Sequence, residues 1–303
     1  MRSKALHHYP QFVFRDGEKL LWNPILKKAF KNLPEERVRL QLLEYLIEEA
    51  KFSTSRISFE SPVNLPGDKA PSRTDLICYE KDFKPLLLVE CKAPEITLNE
   101  KAAIQIARYN LEVNAPFLLI SNGLQDYWFA IEDGELSALD TIPAIFQSKQ
   151  KATQDFSYWA QRGFTGTKSH PDTRKWMLQT CTELFTGEHP ERIKFFSFEG
   201  SDPDLALPNF YYVYTHNDEQ KLAVSLCATT YQTTKLSVIF NENGQNVALL
   251  SCSLDLIAED EPLNTLHQSA EGLFQLDLAE ELDFDFDAPI SDLFPQLIKI
   301  FTD

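Results

Sequence analysis

The chain has 303 residues, 43% hydrophobic and 24% charged, a mix that excludes a disordered or fibrous protein and suits one large domain or two of ordinary size. No apolar run approaches the roughly 18 residues of a membrane span, and the N-terminal Met-Arg-Ser-Lys has no apolar signal core, so a cytoplasmic protein without a membrane partner is predicted. The net charge of −16 opposes nucleic-acid binding, but residues 1–150 hold 19 Lys+Arg against 21 Asp+Glu, whereas residues 151–303 hold 10 against 24 and have no arginine after Arg192, so any phosphate-binding surface belongs to the first half.

In chain order, apolar residues at Val38, Leu42, Leu43, Leu46 and Ile47 predict an amphipathic helix over 34–50. Short β-like runs follow at Arg56–Glu60, Thr74–Tyr79 and Pro85–Cys91. Asn99 can cap a second helix, with Ala103, Ile104, Ala107 and Leu111 as its buried stripe. Two more strands are predicted at Pro116–Ser121 and Asp126–Ile131. Residues 147–194 are more polar and broken by Gly163, Gly166, Pro171, Gly187 and Pro190, which suggests a connector around a helix at Asp172–Phe185. Strands at Phe210–Thr215, Lys221–Thr229, Lys235–Asn241 and Val247–Leu254 then follow, with Asn-Glu-Asn-Gly as a hairpin turn. The expected organisation is a mixed-sheet α/β domain over 1–146, the connector, and a smaller, acidic, β-rich α+β domain over 195–303.

Chemistry concentrates in Pro85-Leu-Leu-Leu-Val-Glu-Cys-Lys-Ala93. Strand geometry puts Glu90 and Lys92 on one face, roughly 7 Å apart along the strand. The short Glu80–Lys84 connection makes Thr74–Tyr79 its antiparallel partner, which brings Asp75 opposite Glu90. Two carboxylates at the edge of a core repel one another and lose hydration, and a divalent ion compensates both. Magnesium accepts a few carboxylate oxygens together with waters and phosphate oxygens, and the Cys91 backbone carbonyl can supply a further ligand. Lys92 either orients the attacking water and the phosphate or simply pairs with Glu90 or Asp75. Gln105 and Tyr109, at i and i+4 on the second helix, both offer hydrogen bonds to this group.

The order Asp75, Glu90-Cys-Lys92, Gln105-x-x-x-Tyr109 resembles the PD-(D/E)XK nucleases with a QxxxY motif. Phe14-Arg-Asp-Gly, Leu21-Trp-Asn-Pro24, Pro34-Glu-Glu-Arg-Val-Arg39, Arg108-Tyr-Asn110 and Ser121-Asn-Gly123 extend the similarity over about residues 10–145 to the stand-alone type I restriction R-subunit N-terminal domain family. That resemblance implies a restriction-endonuclease-like fold, DNA as partner, Mg²⁺ (or Mn²⁺ in its place) held by Asp75 and Glu90, and catalysis by Lys92 supported by Gln105 and Tyr109. It also implies a first-helix acid, mapped to Glu36, although acids in a first helical turn equally suit the helix dipole. Pro71 stands four residues before Asp75, where the family has Pro immediately before the Asp.

Gly163-Phe-Thr-Gly-Thr-Lys-Ser169 fails as a Walker A loop because Thr167 separates Gly166 from Lys168, so no motor is expected. The five cysteines are widely spaced and suggest reduced core residues. Asp283-Phe-Asp-Phe-Asp287 lacks the glycine and closing glutamate of a calcium loop. The predicted activity is Mg²⁺-dependent hydrolysis of DNA phosphodiester bonds. The alternative is a catalytically silent nuclease-fold module that binds nucleic acid or protein, with the acidic second half facing a basic protein partner.

Overall fold

The computed structural model describes residues 1–64, 72–147, 154–187, 189–196 and 209–302, which leaves Pro71 outside. The chain clusters into two compact units, Met1–Val13 with Leu20–Ala152, and Phe14–Lys19 with Thr153–Asp303. Among the described residues, no helix is long and apolar enough to cross a membrane. All five cysteines are buried and free.

A small three-stranded sheet opens the chain, β1 (Gln11–Arg15), β2 (Glu18–Asn23) and β3 (Lys28–Phe30). Asp16 and Gly17, at φ +52° and +80°, form the two-residue turn after β1, a backbone that Asp-Gly adopts at little cost. At the end of β2, Asn23 Oδ1 accepts from the N–H groups of Ile25 and Leu26 at 2.9 and 3.0 Å. These strands were not expected from the sequence, in which they lack a sustained alternating pattern.

Next come α1 (Pro34–Glu44), which passes into a π-helical turn at Tyr45–Glu49, then β4 (Ile57–Phe59), the short pair β5 (Pro62–Val63) and β6 (Ser72–Arg73), β7 (Leu76–Tyr79), β8 (Pro85–Cys91), α2 (Glu100–Val113), β9 (Phe117–Ser121), β10 (Asp126–Glu132) and β11 (Glu135–Leu139). The main sheet has the order β11-β10-β9-β8-β7-β4. Only β8 and β9 run parallel, and α2 is the crossover that a parallel pair requires. Strand β8 is central, and Leu87, Leu88 and Val89 are wholly buried, which is why this strand reads as an unbroken apolar run.

Helix α2 starts as expected, with Asn99 Oδ1 accepting from Lys101 N, but its buried face differs from the predicted stripe. Ala102, Ile106 and Asn110 are buried, while Ile104 and Leu111 are exposed. Ala102 and Ile106 pack with Ile77, Leu88, Leu118 and Ile120 of the sheet. Asn110 donates to the Ala115 carbonyl and accepts from its N–H. The rotation places Gln105 and Tyr109 toward the charged end of β8.

The second unit contains α3 (Phe156–Gln161), α4 (Pro171–Phe185), the strands β12 (Ile193–Phe196), β13 (Asn209–Thr215), β14 (Gln220–Ala228), β15 (Thr234–Glu242) and β16 (Gln245–Ser253), α5 (Leu254–Ala258), β17 (Thr265–Ser269), β18 (Gly272–Leu276), α6 (Leu278–Glu281) and α7 (Phe294–Thr302). Its seven strands form one antiparallel meander in chain order. Asn243 and Gly244 make the anticipated hairpin turn, at φ +53° and +82°.

Within the expected connector, the Gly163–Ser169 stretch is packed into the second unit. Gly163, Phe164, Thr165, Gly166 and Ser169 are all buried. Thr165 and Ser169 hydroxyls bond Thr234 Oγ1, which also accepts from Gly166 N at 3.1 Å. Gly166 lies so close to the turn between β14 and β15 that an added Cβ would stand 2.0 Å from the Gln232 carbonyl oxygen. Polar, glycine-containing sequence here makes a backbone-to-backbone junction. Trp159, Phe164 and Phe185 build the adjacent core, with ring centroids 4.8 Å (Trp159–Phe164) and 4.9 Å (Phe164–Phe185) apart.

Candidate active site

Strands β7 and β8 pair with Leu76 opposite Val89 and Ile77 opposite Leu88. One residue further, the same register brings Asp75 beside Glu90 at the open end of the hairpin. Asp75 Oδ2 accepts from the Cys91 N–H at 2.6 Å, which ties the first carboxylate to the residue next to the second. Both are withdrawn from water, Asp75 at 8% exposure and Glu90 at 4%.

Glu90 Oε1 receives two hydrogen bonds of 2.7 Å, one from Lys92 Nζ and one from Gln105 Nε2. Lys92 Nζ also donates to Gln105 Oε1 at 3.3 Å, and Gln105 Nε2 lies 3.2 Å from Tyr109 Oη. Of the helix pair at i and i+4, Gln105 touches the strand-end charges directly and Tyr109 touches Gln105. Gln105 does so because α2 presents it on the side that faces β8, while Lys92, just beyond the strand, is held by its N–H to the Ser121 carbonyl at 2.8 Å. Ser121-Asn-Gly123 forms a tight loop at this end of β9, in which Gly123 N donates to Ser121 Oγ and Asn122 Oδ1 accepts from Leu124 N and Gln125 N.

Helix α1 adds a second layer of charge. Arg39 reaches Asp75 Oδ1 at 2.8 Å and Glu36 Oε2 at 2.7 Å, with longer contacts of 3.3 Å to Glu35 and 3.4 Å to Glu60. Sequence reasoning assigned Arg39 no role. Its local signal is the Glu35/Glu36 spacing of i+4 and i+3, but the bond to Asp75 depends on the tertiary fold. Glu36 belongs to the same cluster through Arg39, and its second oxygen, Oε1, is buried without a hydrogen-bond partner.

The electrostatics follow from this crowding. Burial pushes the Glu90 carboxyl up to about 7, and the neighbouring Asp75 charge adds to the shift against the pull of Lys92. Burial also raises Asp75, opposed by Arg39 and by the Cys91 N–H. Glu36 is raised by burial as well, against Arg39. On Lys92, burial opposes the ammonium, but the hydrogen bond and charge of Glu90 overcome it and hold the group above the usual lysine range. Cys91 enters through its backbone. Its thiol is fully buried and pushed well up by that burial, so sulfur is no ligand here.

The donor set is oxygen only, which suits a hard cation. The unpartnered Glu36 oxygen and the two raised carboxylates are deficits of positive charge that such an ion would relieve. Among the described residues, no three His, Cys, Asp or Glu side chains are grouped so as to hold a metal unaided. Magnesium commonly uses one or two carboxylates and completes its shell with water and phosphate oxygens.

The first unit thus brings together Asp75 just before β7, Glu90 in β8, Lys92 two residues further on, and Gln105 on the crossover helix with Tyr109 beside it, within a segment that matches a PD-(D/E)XK-type domain. Residues 34–143 match the family described as Type I restriction enzyme R protein N terminus (HSDR_N). The match begins with α1 and ends just beyond β11, so it bears on the first unit alone. No curated protein matches the chain.

Proposed function

We propose that the first unit is a Mg²⁺-dependent nuclease that hydrolyses DNA phosphodiester bonds, with Asp75 and Glu90 as the metal-holding carboxylates and the Cys91 carbonyl as an additional oxygen donor. The observation that carries this reading is the convergence of Lys92 and Gln105 on one oxygen of Glu90, next to an Asp75 tied to the following residue's N–H. When bound, the ion would lower the pKa of a neighbouring water and offset charge on the scissile phosphate.

Lys92, kept cationic by Glu90, is suited to donate to phosphate oxygens as negative charge grows during in-line attack. A charged ammonium is a poor base, so its part is charge stabilisation rather than proton removal. Gln105 bonds both Glu90 and Lys92 and fixes their relative position, and Tyr109 steadies Gln105. Glu36 contributes a further acidic oxygen at the rim of the same cluster.

The test is cleavage of plasmid and oligonucleotide DNA with Mg²⁺ by the full chain and by Asp75→Ala and Lys92→Ala, with melting curves to establish that each variant folds. Each substitution should lower the rate by at least about 100-fold, and EDTA should abolish it. Equal rates in all three proteins would exclude this assignment. The silent-module reading has one observation in its favour, since Arg39 already supplies Asp75 with a counter-charge. Folded wild type that neither binds Mn²⁺ nor cleaves either substrate would select it.

A further inference from the structure

Arg39 stands where the charge of the cluster is balanced. Two short bonds go to the most buried acids it touches, Asp75 at 2.8 Å and Glu36 at 2.7 Å. Two longer ones, 3.3 and 3.4 Å, go to Glu35 and Glu60, whose side chains are more exposed. The guanidinium also lies 5.5 Å from the centre of the Phe59 ring. One cation is thus shared by four carboxylates, which a monovalent charge cannot neutralise in full. Asp75 is the acid common to this network and to the candidate metal site, and its Oδ1 is the oxygen Arg39 occupies.

Building on the nuclease reading, we propose that Arg39 is a positioning residue acting as the resident counter-cation of the acidic cluster, one that competes with a divalent ion for Asp75 Oδ1 and so sets how tightly the ion binds. Two features support competition over simple scaffolding. Asp75 has its own neutral anchor, the Cys91 N–H, so its placement does not depend on Arg39. Glu35 and Glu60 give the guanidinium partners to retain once Asp75 is engaged elsewhere, with no need for an unpaired charge to be left buried. Lys92 serves Glu90 separately, so each metal-holding carboxylate has one resident cation; the alternative partner of Lys92 is the neutral Gln105, whereas Arg39 is backed by two further acids.

Calorimetric titration of Mn²⁺ into the full chain tests the idea, with thermal midpoints in EDTA and in Mn²⁺ alongside. Arg39→Met should tighten Mn²⁺ binding about tenfold, the effect of removing one charge-assisted competitor. Its midpoint should fall in EDTA and recover in Mn²⁺. Arg39→Lys keeps the charge but loses the forked geometry, and should tighten binding by a smaller factor, which keeps the test open if the Met variant fails to fold. Unchanged or weaker binding in both folded variants, or in Arg39→Lys alone where the Met variant does not fold, would overturn the proposal and make Arg39 a scaffold for Asp75. The nuclease reading would survive that result if Asp75→Asn still abolished binding. Absence of Asp75-dependent Mn²⁺ binding in wild type would remove both.

Discussion

Asp255 in the second unit and Asp75 in the first are both carboxylates withdrawn from water beside a sheet, yet their partners differ in kind. Asp255 Oδ1 accepts from the His170 N–H and Oδ2 from the Thr234 N–H, each at 2.6 Å. Around it, Thr234, Thr165 and Ser169 share hydroxyl hydrogen bonds. All of these donors are neutral and fixed by the fold. Asp75 has one such donor, and its other oxygen relies on an arginine divided among four acids. Burial of an acid alone therefore does not mark a site. Neutral backbone partners indicate architecture, whereas shared cations and neighbouring like charges indicate a place prepared for an external charge.

If that contrast holds, substitutions in the second cluster should cost stability and little else. The largest effect is expected at Gly166→Ala, whose new Cβ would meet the Gln232 carbonyl oxygen at 2.0 Å and its carbon at 2.1 Å. Backbone cannot yield as a side-chain tip does, so the second unit should lose more than about 4 kcal/mol in urea unfolding followed by near-UV dichroism. A loss under about 1 kcal/mol would mean the junction is loosely packed. Asp255→Ala should come next, at about 3 kcal/mol, because two buried backbone N–H groups lose their acceptor. Asp255→Asn keeps one acceptor oxygen and should cost about half as much. Neither Asp255 variant should change Mn²⁺ affinity, and an altered affinity would break the distinction between the clusters.

The two clusters were not equally legible in the sequence. Strand β8 was anticipated at its observed bounds because an apolar run after Pro85 has few alternatives, and Glu90, Lys92, Gln105 and Tyr109 stood at spacings that geometry could interpret. The face of α2 was not. Ala102 and Ile106 compete with Ile104 and Leu111 for burial, and the sheet residues they pack against, Ile77, Leu88, Leu118 and Ile120, all lie outside the helix. Arg39 shows its Glu35 and Glu36 partners locally, but its Asp75 contact exists only once β7 and α1 are brought together. The Gly163–Ser169 segment misleads for a related reason. Its hydroxyls suggest solvent, while Thr234, far along the chain, satisfies them in the interior. Asp16-Gly17 and Asp133-Gly134 were available turn signals, each with positive φ at both residues, yet of the strands beside them only β10 was anticipated, and β1, β2 and β11 are short.

The smallest effect sharpens the comparison within the first unit itself. Glu49 accepts from Lys4 Nζ at 2.6 Å and lies 3.2 Å from His8 Nε2, and the His8 hydrogen bond in particular draws its carboxyl down to about 2. Its contribution is present above the unfolded glutamate value and fades as pH falls toward 2. Glu90 has the opposite sign. With a folded value of about 7 above its unfolded one, the native state holds a proton that the unfolded chain has released between these limits, so stability declines as pH rises through that window. Glu90→Gln cannot ionise. In EDTA, the stability of Glu90→Gln relative to wild type should therefore increase from pH 4.5 to pH 8, by on the order of 1 kcal/mol, and Mg²⁺ should narrow the gap by stabilising the wild-type carboxylate. Thermal midpoints of the two proteins across that range provide the measurement. A constant difference would mean that Glu90 is ionised without penalty, and that the cluster resembles Asp255 more than a site awaiting a cation.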